Sequence, residues 1–207
     1  MTKTVNTEHI KRDIVVVGAS AGGVKALMSL FENLPSPLPG AVAVVLHRHP
    51  LNNVNLTTVL GRATPLPVIE ASDERVLEAG TIQIAPGGAH LILTEHGVRL
   101  DRGPKEHFTR PAVDPLFRSA AAIYAQRVIG VLLTGAGDDG VRGLIHIKAS
   151  GGLALIQDPA QATVPSMPMN ALLYDHVDLV LPLADIASSL ISLMRGDQVT
   201  RPASPQH

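Results

Sequence analysis

Residues Asp13 to Gly23 read DIVVVGASAGG, a β-branched run that ends in a serine held between glycines. The run Ile14 to Val17 suits a strand buried on both faces. The strand is expected to stop at Gly18, and Gly18 to Gly22 fit the pattern G-x-S-x-G. Behind this turn Val24, Leu27, Leu30, Phe31 and Leu34 recur at helical spacing, so the order is strand, tight turn, amphipathic helix. A serine on such a turn projects its hydroxyl off the end of the sheet. The glycines let the backbone and the next helix crowd in, and the helix N-terminus offers unpaired N–H groups to a developing oxyanion.

A dinucleotide-binding turn has a similar outline but needs G-x-G-x-x-G and an acidic residue about 20 positions further on. Here Ser20 replaces the middle glycine, and the next apolar strand, Ala41 to Leu46, ends in His47-Arg48-His49-Pro50 without a carboxylate. The turn alone leaves two readings open, a nucleophile elbow and a purely structural bend.

At 207 residues the chain is sized for one α/β domain with a substantial core. Its 45 % hydrophobic and 17 % charged residues are those of a folded rather than a disordered chain. A net charge of -1 argues against electrostatically driven binding of nucleic acid or membrane surface. With no cysteine, disulfides, thiolate catalysis and cysteine-ligated zinc are excluded. The polar start MTKTVNTEHIKRD lacks the apolar core of a signal peptide, and no apolar run is long enough to span a bilayer. A cytoplasmic location is expected.

Strands and helices alternate along the chain. A helix is expected from about Val54 to Leu60, and Pro65 to Ile69 reads as less regular. Thr81 to Pro86 reads as a strand, and Leu91–Leu93 with Val98–Leu100 reads as a hairpin turning at Glu95 to Gly97. A helix Val113–Tyr124, a strand Arg127–Leu133, a glycine turn Thr134–Gly140 and a helix Val141–Ala149 follow. A strand Leu153–Ile156 and a helix Asp185–Met194 close the pattern. The expected fold is α/β: a doubly wound, mostly parallel sheet flanked by helices, with a small antiparallel β-hairpin.

In such folds chemistry gathers at the carboxyl ends of the strands. Three of those ends carry the residue types of acyl transfer: Ser20, His47, and the pair Asp138 and Asp139. A serine hydroxyl needs an imidazole to remove its proton, and the imidazole needs a carboxylate to fix its tautomer.

These residues, taken with others, resemble the catalytic domain of the CheB-type chemotaxis receptor protein-glutamate methylesterases. GASAGG is similar to that family's GAS-T-GG turn, and the segment around His47 to its Q-H-x-P. Ile84 to Gly87 matches I-A-P-G, Arg110 to Phe117 matches R-P-S-V-D-x-L-F, and Leu133 to Gly140 matches L-T-G-M-G-x-D-G. The five matches occur in order over most of the chain, from Asp13 to about Arg195.

The resemblance implies Ser20 as nucleophile, His47 as general base and Asp139 as the carboxylate, with the backbone N–H groups of Ala21 and Gly22 as the oxyanion hole. It implies demethylation of glutamyl methyl esters with release of methanol, deamidation of receptor glutamines by the same acyl-serine route, and no cofactor or metal. The implied partner is the cytoplasmic helical region of methyl-accepting chemotaxis receptors, with no nucleic acid and no direct membrane insertion. The catalytic domain is expected to cover 13–196, between a polar tail, 1–12, and a flexible tail, 197–207. Typical members of the family also carry an N-terminal receiver domain. Only about a dozen residues precede the first strand here, so control by an aspartyl phosphate in the same chain is expected to be absent. Three departures bear on rate and substrate fit: Ala21 for threonine, Ala136 for methionine, and Leu46 and Arg48 around the histidine. Two alternatives remain, a serine esterase of another sensory pathway and a catalytically weak receptor-binding module.

Other residues carry quieter expectations. His49 reads as a surface neighbour of His47 and as the alternative base, and a His47–His49 metal pair lacks a third ligand at a telling spacing. His90 and His107 read as structural or rim residues, and Asp114 as a cap at its own helix start. Arg110 reads either as a cap or as a guide for an acidic surface, and Met167 and Met169 as core or groove. The triad side chains are expected to serve the cleft rather than the core, so that replacing them leaves folding nearly unaffected.

Overall fold

The β-branched run at the start of the chain becomes strand β1, Ile14–Ala19, buried along its whole length. The computed structural model describes residues 10–47, 55–174 and 176–197. After β1 come α1 (Gly23–Glu32), β2 (Ala41–Leu46), α2 (Leu56–Gly61), β3 (Val68–Glu70) and β4 (Ile82–Ile84). The hairpin strands β5 (His90–Thr94) and β6 (Gly97–Asp101) follow, then α3 (Val113–Tyr124), β7 (Val128–Leu132) and α4 (Val141–Ala149). The described chain closes with β8 (Leu153–Gln157), α5 (Ser166–Leu173), β9 (Leu179–Leu181) and α6 (Leu183–Arg195). Arg48 and His49, and most of the two expected tails, lie outside the described residues.

Among the described residues seven strands form one parallel sheet in the order β3-β4-β2-β1-β7-β8-β9, and β5 and β6 pair antiparallel by themselves. Parallel strands need crossover helices, which cover both faces. Alternate residues of β1 accordingly enter two cores. Val15, Val17 and Ala19 pack with Leu27, Leu30 and Phe31 of α1 and with Ile186 and Leu190 of α6. Ile14 and Val16 face Leu116 and Phe117 of α3 and Leu144 and Ile147 of α4. Each of these large side chains, fully buried, contributes roughly 1.5–3 kcal/mol, so the two cores hold the helices to the sheet. The doubly wound fold with a separate hairpin is the one read from the sequence.

The differences are local. β1 does not stop at Gly18, which stays in register with Val45 and Leu132. A Cβ on Gly18 would lie 2.4 Å from Val113 Cγ1, so the glycine lets α3 approach the strand. β3, α5 and β9 were not among the expected elements. β3 and β9 are three-residue segments at the sheet edges, and α5 carries Pro168 in its first turn, where a missing N–H is tolerated.

Candidate active site

Strand order reverses at β1, with β2 on one side and β7 on the other, the crevice where open α/β sheets bind ligands. Ser20 leaves the end of β1 at that point, and its N–H donates to the Thr134 carbonyl after β7 (3.0 Å). The His47 N–H donates to the Ala19 carbonyl (3.0 Å), so the residue that follows β2 stands beside the serine. Strand register alone therefore brings together residues 27 positions apart.

The turn after Ser20 is pinned at both carbonyls. The Ser20 carbonyl accepts from the Gly23 N–H (2.8 Å), and the Ala21 carbonyl accepts from the Thr134 hydroxyl (2.9 Å). A trans peptide points its N–H opposite to its C=O, so these bonds also aim the N–H groups of Ala21 and Gly22. Among the described residues neither N–H finds an acceptor. Gly22 has φ +79°, and a Cβ there would meet Thr163 Cβ at 2.7 Å, so both conformation and space call for glycine.

His47 spans the gap between Ser20 and a carboxylate. Its Nδ1 is 3.2 Å from Ser20 Oγ and its Nε2 is 2.6 Å from Asp139 Oδ2. Burial pushes the Asp139 carboxyl up. The hydrogen bond from His47, those from the N–H groups of Val113 and Asp114, and the His47 charge overcome this and hold it below the ordinary carboxylate value. An ionised carboxylate only accepts, so Nε2 carries a proton, and in the neutral ring Nδ1 presents its lone pair to the serine hydroxyl.

Asp139 is 1 % exposed and is more than a partner of His47. It accepts from the Val113 N–H (2.7 Å) and the Asp114 N–H (2.9 Å), and so caps α3, whose own N-cap residue is Ala112. Asp114 in turn accepts from the N–H groups of Gly140 (3.0 Å) and Gly143 (2.7 Å) and caps α4. The two helices exchange caps. Two expectations change as a result. Asp114 caps the neighbouring helix rather than its own, because the two N-termini lie side by side. Asp139 belongs to the core as well as the cleft, so its replacement will disturb folding.

The remaining sequence candidates separate cleanly. Asp138 turns outward, its side chain 66 % exposed, and bonds His107 Nδ1 at 3.1 Å. His90 is structural: it is 2 % exposed, with Nε2 on the Pro104 carbonyl and Nδ1 accepting from the Ala112 N–H. Arg110 donates to the carbonyls of Arg102 and Gly103 and clamps the loop between β6 and α3. Met167 is fully buried, whereas Met169 is half exposed. Thr134 was missed. Its place in the glycine turn offered no sign that its hydroxyl would hold the serine turn. Ligand atoms of His107, Asp114 and Asp139 lie within 4.8 Å of one another, as in a metal site. Four backbone N–H groups already converge on the two carboxylates, an arrangement suited to anions rather than to a cation.

A parallel sheet with a serine, an imidazole and a carboxylate in hydrogen-bonded series at its carboxyl edge is a framework of the kind serine hydrolases use. Residues 15–190 match the family model for the CheB methylesterase domain, and the chain belongs to that family. It is 43 % identical over 183 residues to the protein-glutamate methylesterase/protein-glutamine glutaminase 2 of Anaeromyxobacter dehalogenans, over 88 % of this chain and 54 % of that relative. It is 36 % identical over 192 residues to a like-named protein of Methanosarcina mazei, over 89 % of this chain and 52 % of that relative. The crystal structure of the Thermotoga maritima CheB methylesterase catalytic domain superimposes with a TM-score of 0.85 at 36 % identity, covering 89 % of this chain and 100 % of that one. The chain spans about half the length of these two curated relatives. No helix among the described residues is long and apolar enough to cross a membrane.

Proposed function

We propose that this chain hydrolyses glutamyl methyl esters on the cytoplasmic helical region of chemotaxis receptors, with Ser20 as nucleophile, His47 as general base and Asp139 as its orienting carboxylate. Ser20 Oγ attacks the ester carbonyl while His47 Nδ1 takes its proton. The N–H groups of Ala21 and Gly22 receive the oxyanion. Methanol leaves with the proton from Nδ1, and water, activated by the same nitrogen, splits the acyl-serine to a free glutamate and the restored hydroxyl. A receptor glutamine follows the same route with ammonia as the leaving group. The reaction takes place in the cytoplasm.

One observation carries this reading. His47 bonds Ser20 through one ring nitrogen and a buried carboxylate through the other, in a chain of the CheB methylesterase family. The test is methanol release from methylated receptor membranes, measured beside unrelated methyl esters. Release from the receptors alone supports the assignment. Equal rates on every ester would mean an esterase of another pathway, and no release would leave a binding module.

Thr134 supplies a second test, because its hydroxyl sets the peptide that carries the Gly22 N–H. Thr134→Val keeps the shape and removes the hydroxyl. We expect kcat to fall by about tenfold or more, approaching the roughly 10²–10³ lost when an oxyanion donor is removed outright, with KM little changed. Unchanged kcat would show that the 21–22 peptide plays no part in the oxyanion hole.

A further inference from the structure

Two fully buried carboxylates, Asp114 and Asp139, bring oxygens within 4.8 Å of each other. Like charges at such depth repel strongly, and the backbone N–H groups that satisfy their oxygens bring only the partial charge of two helix ends. Burial and the Asp139 charge push the Asp114 carboxyl up, so a positive side chain beside the pair favours keeping both ionised. His107, on the loop between β6 and α3, stands in that position. Its Nε2 is 2.9 Å from Asp114 Oδ2 and 3.8 Å from Asp139 Oδ1, and its Nδ1 is 3.1 Å from Asp138 Oδ1. Both ring nitrogens thus meet carboxylate oxygens, which only accept from the ring when ionised. The imidazolium, with an N–H on each nitrogen, satisfies all of them at once.

The loop is built to hold this pose. His107 and Phe108 have φ of +48° and +60°, a conformation rarely adopted by residues with side chains, and Phe108 is left 98 % exposed. Glu106 and Thr109 bridge across the bend, and Arg118 grips Glu106 through two hydrogen bonds of 2.8 and 3.0 Å. Arg110 fastens the loop base.

We propose that His107 is a positioning residue of the hydrolytic site: its ring bridges Asp114 and Asp138, lies against Asp139, and keeps the Asp139 carboxylate turned onto His47. This role rests on the reading of Ser20, His47 and Asp139 as the reacting series. His107 touches no substrate and acts through Asp139.

The groups that face His107 are Asp114 at the N-terminus of α3, and Asp138 and Asp139 ahead of α4. Arg118 on α3 and its partner Glu106 lie alongside. Burial disfavours the charged ring. The Asp139 charge, the hydrogen bond and charge of Asp114, and the Asp138 charge outweigh it and hold the His107 pKa above the ordinary histidine value. The charged form is therefore complete below the ordinary value of about 6.5 and is lost as pH rises through the higher folded value. Turnover is expected to decline along that same alkaline limb.

The experiment is methanol release as a function of pH for the wild type and His107→Gln, with Ser20→Ala as the control that hydrolysis occurs at this site. Glutamine keeps a donor and an acceptor but no charge. We expect kcat to fall about tenfold, KM to stay within about twofold, and the alkaline limb to vanish, as for a group that supplies charge to an orienting carboxylate. Wild-type kcat, or a limb that persists in the variant, overturns the role. Ser20→Ala as active as wild type would instead overturn the serine reading on which it rests. Should His107→Gln not fold, NMR titration of the His107 ring in the wild-type chain takes its place. Titration along the limb supports the role, and a limb at a pH where His107 does not titrate overturns it.

Discussion

Ser20→Ala is expected to abolish methanol release, with kcat falling by about 10⁶, the loss seen when the nucleophile of a comparable triad is removed. The fold is expected to survive intact. The Ser20 side chain bonds His47 Nδ1, whereas the backbone bonds that shape its turn, from Ser20 N–H to Thr134 and from Gly23 N–H to Ser20, do not involve the hydroxyl. Activity is read as methanol released from methylated receptor membranes and stability as the melting temperature. Wild-type turnover in this variant would rule out the acyl-serine route.

Asp139→Asn is expected to give a smaller loss, of two kinds. The carboxylate takes hydrogen bonds from His47 Nε2, the Val113 N–H and the Asp114 N–H. An amide has one acceptor oxygen, so its NH₂ must face a donor. Placed at Oδ2, the NH₂ meets both His47 Nε2 and the Val113 N–H, forces the ring proton onto Nδ1 so that the ring can no longer accept from Ser20, and loses one bond to α3. The expected fall in kcat is about 10⁴. Placed at Oδ1, it meets the Asp114 N–H and removes that capping bond, which costs about 1–2 kcal/mol. Asp138→Asn, on an exposed side chain, is expected to be mild in comparison. pH gives a further check. Because the folded value of Asp139 is depressed, the stability it contributes is present above its unfolded value of about 3.9 and is lost as pH falls through the folded one. The stability gap between wild type and Asp139→Asn, from denaturant melts, should narrow below about pH 4. A gap constant from neutral pH to pH 3 would show that Asp139 does not act as an ionised cap.

The sheet was legible because its long strands are runs such as Ile14-Val15-Val16-Val17, whose burial on both faces needs helices on both sides. Edge strands of three residues, Val68–Glu70 and Leu179–Leu181, are too short to show a period. The order Ser20, His47, Asp139 followed from strand ends and from a family resemblance. The orientation of the His47 ring did not, because no pattern of residue types tells Nδ1 from Nε2. The exchanged caps were equally hidden. They join residues 25 and more positions apart, whereas capping rules address only neighbours in the chain. His107 was read as a rim residue because its bonds depend on two left-handed backbone angles that its sequence neighbours, Glu106 and Phe108, do not announce.

β1 is the fourth of seven strands, flanked on each side before either edge is reached. Opening motions of folded proteins begin where few contacts hold a segment, and here the three-residue strands β3 and β9 lie at the sheet edges with one neighbour each. Fraying at those edges leaves Ser20 and its neighbours undisturbed. The backbone amides of β1 should therefore be among the slowest to exchange with deuterium, and their exchange should report the global opening that also ends turnover. In this chain the durability of the activity and the durability of the whole fold are one quantity.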